Sequence, residues 1–434
     1  MLRSRPRFSL VENGKPVQLS DDMFLEVGLD KHKLKSLLTD AGLRAAKHLG
    51  LKNNPITIEP KGVRAAGFAG LIRLTPSLEL EVAPKFLGLD DQDSIWREDF
   101  FFLCTLSKYG RFLATDKLSA SSGAPRDLAT LVARSIISMY EAQKRRPLRS
   151  YRKALETGFF IEGDPDPVDI VFPSPEGFEQ EVIRFDRRNV WNAEIVTAAK
   201  DLLPEVREPV VASFLMRLIE DLSPQGSVST RSKPIPSRQR AWKPLHDLAQ
   251  DVIRGLGVNY KQGQSAAPGY LVTTWRVWED LITVALRLGF GNSSVQSQAS
   301  FVLGEKTSAA SGKTSDILVF PDFVIQNQKN GRRFLVDAKY KGHIEKGKLR
   351  IVESDIYEAL AFAKASFCNL IVLIYPARPD EPKRPLGKCE TFQTLSINDV
   401  TIVGVQVEIR NISKPGGIKE FASKMYDYLS SFDL

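Results

Sequence analysis

Asp322, Asp337 and Lys339 are the residues whose types and spacing point to chemistry. They lie in P-D-F-V-I-Q-N-Q-K-N-G-R-R-F-L-V-D-A-K-Y-K, Pro321 to Lys341, where Phe323-Val324-Ile325 and Phe334-Leu335-Val336 flank a polar segment. Asn330-Gly331 within that segment is a strong tight-turn signal, so the stretch predicts a β-hairpin. With Asn330 and Gly331 as the central turn residues, Asp322 falls opposite Lys339 and diagonal to Asp337. All three share one face, because side chains alternate along a strand and opposed residues point the same way. Two carboxylates and an ammonium gathered within about 5–8 Å, beside an apolar stretch from Leu335 to Ala338, need pairing or a metal to offset the cost of burial. A hard divalent cation would supply it. Mg²⁺, with Mn²⁺ as a substitute, takes oxygen ligands from one or two carboxylates and fills its remaining positions with water and phosphate oxygens.

Asp316, in S-D-I-L-V-F, is a rival first carboxylate. On an extended strand it lies about 20 Å from position 322, and only Asp322 reaches Lys339 in the expected register. Tyr340 is expected on the opposite face, in the core. Lys341 is expected on the same face as Lys339, as a phosphate contact or a solvated lysine.

The elements that would hold this hairpin follow an α/β order. A helix over Trp242–Leu256 is followed by a loop over Gln262–Gly269 and a second helix over Thr274–Leu288 carrying Trp278-Glu279-Asp280-Leu281. After the hairpin come an amphipathic helix over Glu353–Ser366, a buried strand over Leu370–Tyr375, a strand over Val400–Ile409 and a closing helix over Ile418–Phe432. Upstream, Asp30–Leu51 has helical spacing, and Pro55–Ile58 and Phe68–Val82 read as strands. In the latter, Leu78, Leu80 and Val82 alternate with Glu79 and Glu81, as expected of a strand with one wet face. From Trp96 to about Leu222 the pattern is helical. It includes a basic run, Lys144-Arg145-Arg146 with Arg149, Arg152 and Lys153, read either as a solvated helix end or as a phosphate contact. Ser223–Arg240, rich in Ser, Pro and Arg, reads as a linker.

The expected architecture is therefore α/β and multidomain. It comprises a β-rich N-terminal module (1–95), a helical middle region with a linker (96–240), and a C-terminal domain (241–434) with a mixed sheet flanked by helices.

Composition narrows the classes. The chain has 434 residues, 43% hydrophobic and 26% charged, enough to bury a sizeable core in two or three domains. Its apolar runs are too short to span a bilayer and its basic N-terminus lacks a secretory apolar stretch, so a cytoplasmic protein with no membrane partner is expected. Cys104, Cys368 and Cys389 are widely spaced, and His32, His48, His246 and His343 are scattered, which argues against disulfides and zinc. A formal charge of +8 suits polyanionic partners without proving one. Ala310-Ser311-Gly312-Lys313-Thr314-Ser315 imitates the end of a phosphate loop. However, Thr307 stands where the first glycine belongs, and a strand rather than a helix follows.

The P-D, hairpin, D-x-K pattern resembles the signature of the PD-(D/E)xK nuclease superfamily. Over nearly its whole length the chain resembles the McrC family, the nuclease subunits of McrBC-type restriction systems. Gly67–Lys85, ending in P-K, is similar to that family's glycine, apolar strand and P-K signature, and Leu128–Tyr151 to its helical region. V-W-E-D-L (Val277–Leu281) resembles its aromatic-Glu motif, V-D-A-K-Y-K (Val336–Lys341) its most specific motif, and E-S-D-I-Y-E-A-L-A-F-A (Glu353–Ala363) the helix that follows. Glu358 and Phe362 depart from the family's Gln and Tyr, which argues against a polar role for that pair.

The resemblance implies a Mg²⁺-dependent endonuclease. Asp322 and Asp337, with the Ala338 backbone carbonyl, would hold the metal, Glu279 would add a carboxylate or orient a water, and Lys339 would position or activate the attacking water. It also implies an McrB-like AAA+ GTPase hexamer as partner, engaged by the N-terminal module and stimulated by this chain. Double-stranded DNA, often with modified cytosine, would be the target. A catalytically inactive activator of a GTPase ring, or a nucleic-acid-binding module, are the alternatives, and the intact acid-acid-lysine set argues against both.

Overall fold

The computed structural model describes residues 7–19, 30–75, 78–89, 95–109, 128–172, 174–206, 208–222, 234–253, 271–326, 331–345 and 348–432. Residues 223–233 of the linker expected over 223–240, the loop over 262–269 and Asn330 lie outside them; the end of that linker enters a 3-10 helix, Ser237–Trp242. The chain forms two compact units, one of 113–270 and one joining 5–112 to 271–434.

The second unit begins with β1 (Arg7–Val11), α1 (Lys31–Leu49), β2 (Ile56–Glu59), β3 (Gly62–Ala65), β4 (Ala69–Thr75), β5 (Leu78–Ala83) and α2 (Ile95–Tyr109). β1 lies parallel to β5, and β4 antiparallel to it. Leu34 and Leu38 of α1 pack against Phe8, Leu10, Leu80 and Val82 in one core. Asp30 caps α1, accepting the Lys33 N–H at 2.7 Å.

The alternation in β5 does not mark a wet face. Glu79 and Glu81 are buried, the first against Arg7 at 3.2 Å and the second against Arg97 at 2.6 and 2.8 Å. A charged residue at a strand's second face reads as solvent-facing until a covering element brings its counter-ion, and here α2 brings Arg97.

The first unit contains α3 (Leu128–Gln143), β6 (Ser150–Gly158), β7 (Asp164–Pro165), α4 (Pro167–Val171), β8 (Phe178–Asp186), α5 (Val190–Leu202), α6 (Pro209–Leu222) and α7 (Lys243–Asp251). The helical expectation fails over 150–186, where β6 and β8 pair antiparallel from Ser150↔Asp186 to Gly158↔Phe178. One face of the pair stays open: Leu155 is 70% and Ile183 66% exposed, with Phe160 and Phe172 nearby in sequence also exposed, whereas Phe178 and Val182 on the other face are buried. Half of the basic run is paired, Lys144 with Glu141, Arg152 with Asp186 and Lys153 with Glu181.

The second unit continues with β9 (Leu271–Val272), α8 (Thr274–Phe290), β10 (Val295–Ser297), β11 (Phe301–Thr307), β12 (Thr314–Val319), β13 (Phe323–Gln326), β14 (Arg333–Ala338), β15 (His343–Glu345), β16 (Lys348–Arg350), α9 (Glu353–Ser366), β17 (Leu370–Pro376), β18 (Cys389–Ile397), β19 (Val400–Val407) and α10 (Gly417–Ser430). Six strands make a mixed sheet in the order β10-β13-β14-β17-β19-β18, with β14, β17 and β19 parallel. β17 is buried along its whole length, as a central parallel strand must be. Ala359, Phe362 and Ala363 of α9 pack on Leu335, Ile371 and Leu373. The phosphate-loop imitation falls in the turn between the paired strands β11 and β12, with no helix after it.

Several contacts tie the two stretches of this unit, among them the following. β9 pairs with β4, Asp99 of α2 accepts from the backbone of Asn411 and Ser413 at 2.7 and 3.0 Å, and buried Glu12 accepts from Thr274 at 2.6 Å and from Tyr340. Among the described residues no helix is long and apolar enough to cross a membrane.

Candidate active site

The hairpin forms, but two residues out of the expected register. Phe323 pairs with Val336 and Gln326 with Arg333, so the next position along places Asp322 opposite Asp337 rather than Lys339. A slip by two preserves parity, so the residues keep their faces. The pairing runs as far as Gln326↔Arg333, and the expected turn at Asn330-Gly331 falls partly on 327–330, outside the described residues.

This register lets the side chain of Asp322 take the place of a ladder acceptor. The Ala338 N–H donates to Asp322 Oδ2 at 2.9 Å. On the other side of β14, the Lys339 N–H donates to the Ile374 carbonyl at 2.9 Å. That carbonyl also receives Trp278 Nε1 at 3.3 Å, which seats α8 at the end of β14 and brings Glu279 to the cluster. Asp316 is exposed on β12, paired with Glu305 in a separate two-stranded sheet.

Burial, then the charge of Asp337, pushes the Asp322 carboxyl up to about 8. Protonated Asp322 can donate to Asp337. Glu279 is also raised, by burial first and then by Asp280 and Asp337 around it. Lys339 Nζ lies 2.5 Å from Asp337 Oδ2 and 2.6 Å from Glu358 Oε2. Burial opposes the charge on Lys339, but the two carboxylates outweigh it and hold the ammonium above its ordinary value. Asp355, raised by burial and hydrogen-bonded to Tyr375 at 2.8 Å, stands behind them.

Asp337 is 3% exposed. Its Oδ2 has the Lys339 ammonium at 2.5 Å, shared with Glu358, and Asp322 beside it. Two neighbouring buried carboxylates with one shared ammonium between them and a third carboxylate could hold a divalent cation. Among the described residues no three carboxylates, imidazoles or thiolates form a ready-made metal cage. Mg²⁺ needs only one or two carboxylates, which Asp322 and Asp337 could supply.

Two participants were not foreseen. Gln298 Nε2 donates to Glu279 Oε1 at 3.2 Å and to Asp322 Oδ1 at 3.3 Å, while its backbone N–H donates to the Asp322 carbonyl at 2.9 Å. It is held at φ 52° just beyond β10, and nothing local in the sequence signals it. Glu358 has a polar role after all, on Lys339, whereas Phe362 is core. Its spacing of three from Asp355 places both on one helix face, a signal that was legible. Lys341 is not on the Lys339 face, because β14 ends at Ala338; with Tyr340 it lines a cavity described below.

The family described as "McrBC 5-methylcytosine restriction system component" matches residues 63–376. The chain belongs to that family. No curated protein matches it. Among solved structures, it resembles a chain of the "refined half-complex from tetradecameric assembly of Thermococcus gammatolerans McrB AAA+ hexamers with bound McrC", with TM-score 0.68 and 13% identity, covering 98% of this chain and 100% of that one. At that identity the likeness is one of fold. A chain of the Thermococcus gammatolerans McrBC complex solved by cryo-electron microscopy also matches, with TM-score 0.48 and 12% identity, over 64% of this chain and 86% of that one.

Proposed function

We propose that this chain is the DNA endonuclease subunit of an McrBC-type restriction system, hydrolysing phosphodiester bonds with Mg²⁺. The observation that carries the reading is the convergence of Asp322, Asp337 and a charged Lys339 at the end of β14. Asp322 and Asp337, with the Ala338 carbonyl, would bind the metal. A Mg²⁺ held there would lower the pKa of a bound water and offset charge on the scissile phosphate. Lys339, kept protonated by Asp337 and Glu358, stabilises negative charge developing on the phosphate rather than acting as a base. Glu279, fixed by Gln298, orients the attacking water and takes its proton. Its raised pKa suits that exchange.

The partner in this reading is an McrB-like AAA+ GTPase hexamer that selects modified DNA and whose hydrolysis this chain stimulates. Beside the contact expected at residues 1–95, the first unit offers a second candidate surface. The exposed apolar side chains of β6 and β8 form the kind of surface that marks a protein interaction site.

The test is cleavage of methylated and unmethylated plasmid by wild type and Asp337→Ala, each with and without Mg²⁺, the AAA+ GTPase and GTP. Cleavage that needs Mg²⁺, Asp337 and the partner supports the proposal. GTPase stimulation without cleavage under any condition overturns the nuclease part of it. Leu155→Asp with Ile183→Asp should abolish stimulation if β6 and β8 face the partner.

A further inference from the structure

Tyr340 and Lys341 lead from the candidate active site to a cavity of about 1020 Å³ that the mechanism does not use. It lies within the second unit. Its walls come from the turn after β1, the segment after β5, the residues after β14 and the end of β17.

The charges in this cavity do not balance. Lys15, Lys85, Lys341, Arg64 and Arg378 line it, against the carboxylates of Glu12 and Asp380. Asp380 is already bound by Arg378 at 2.9 Å, and Arg64 stands 3.5 Å from Glu59. Both oxygens of Glu12 are taken, one by the Thr274 hydroxyl and one by the Tyr340 hydroxyl.

Lys85 is left with its ammonium 4.1 Å above the Tyr340 ring. The attraction of a cation to an aromatic face is small against the loss of water by a half-buried ammonium. Burial, with Lys341 on the same wall adding to it against the pull of Glu12, lowers Lys85 to about 8. Lys15, Lys85 and Lys341 close no contact ion pair among the described residues. Lys15 is projected to the mouth by a tight turn, in which the Gly14 N–H donates to the Val11 carbonyl at 2.9 Å.

The remaining wall is apolar, with Phe86, Leu89, Pro376 and Pro379. An ammonium cluster at one side and an apolar wall at the other suit a ligand with phosphates and a flat organic body. The volume is at the upper end of the range for small-molecule sites, about 300–1,000 Å³, and is too small for a duplex.

We propose that this cavity binds the phosphates of a nucleotide-sized ligand through Lys15, Lys85 and Lys341, with its organic body against Phe86 and Leu89. The source is either a free nucleotide or the terminal nucleotide of a DNA strand. The proposal stands apart from the nuclease reading, since none of the three lysines belongs to the Asp322–Asp337–Lys339 cluster.

The test is calorimetric titration of the full chain in EDTA with ATP, dCMP and inorganic pyrophosphate, and with a 5′-phosphorylated single-stranded octanucleotide. Saturable binding of ATP or of the octanucleotide, displaced by pyrophosphate, is expected. Lys15→Gln and Lys341→Gln, both at exposed positions, should each weaken it at least fivefold, while Asp337→Ala leaves it unchanged. Binding of the octanucleotide that ATP does not displace assigns the site to a strand end, and tight ATP binding assigns it to a free nucleotide. The proposal is overturned if no probe binds saturably, or if the Lys15→Gln, Lys341→Gln double variant binds like wild type.

Discussion

The main-chain N–H of Ala338 donates to Asp322 Oδ2 at 2.9 Å, so the strand that carries the second carboxylate of the candidate site also anchors the first. The position of Asp322 therefore depends on the hairpin register, and its charge can be tested apart from its placement.

Asp322→Asn keeps an acceptor for the Ala338 N–H and removes the charge. Mg²⁺-dependent plasmid nicking should fall on the order of 10²–10³-fold, the range for losing one charge-stabilising group. Asp316→Asn, on an exposed strand of another sheet, should stay within about twofold, as surface substitutions do. The opposite ranking would mean that Asp316 is the first carboxylate.

Lys339 holds its proton because Asp337 and Glu358 together outweigh its burial. Glu358→Gln should lower cleavage several-fold while leaving the pH–rate profile in place, whereas Lys339→Ala should cost about 10²–10³-fold. If Lys339 were the base, the profile of Lys339→Ala would lose its rise with pH, and single-turnover rates across pH would reveal it.

The pKa of Asp322 is raised to about 8 by burial and Asp337. A carboxyl raised above its unfolded value of about 4 binds more protons folded than unfolded across that interval. Without metal, stability should therefore fall as pH rises from about 4 through about 8. Mg²⁺ competes with the proton, so its stabilising effect should grow over the same range and vanish in Asp337→Ala. Melting temperatures at pH 5.5, 7 and 8.5, with and without MgCl₂, provide the check. A Mg²⁺ shift that shrinks with rising pH would contradict the assignment.

Gln298 bridges Glu279 and Asp322 from a backbone at φ 52°, a region where glycine carries no steric penalty. Gln298→Gly should leave the melting temperature unchanged or slightly higher while cleavage drops. Gln298→Ala should lose cleavage equally without the gain in stability. Equal activity of both variants and wild type would remove Gln298 from the site.

Tyr340→Phe leaves one oxygen of buried Glu12 without its donor. The cost should be about 1–3 kcal/mol, the penalty for an unmet buried polar group, read as a lower denaturation midpoint. Because Glu12 and Tyr340 come from opposite ends of the chain, this variant should also loosen residues 7–19, seen as faster amide exchange there.

The sequence alone determined the local elements around the site. Apolar periodicity fixed α9 at Glu353–Ser366, and the continuous apolar run of β17 marked a strand buried on both faces. The parity of Asp322, Asp337 and Lys339 was legible too, since alternation survives a register slip of two residues. Other features depended on partners distant in sequence. The register itself, the burial of Glu79 and Glu81 by Arg7 and Arg97, and the arrival of Gln298 and Glu358 at the carboxylates came only with the tertiary structure. So did the joining of Glu12 to Tyr340 across 328 positions. A residue's period reports which way it points, but its charge state and its contacts depend on what is packed in front of it, and that is set by the whole fold.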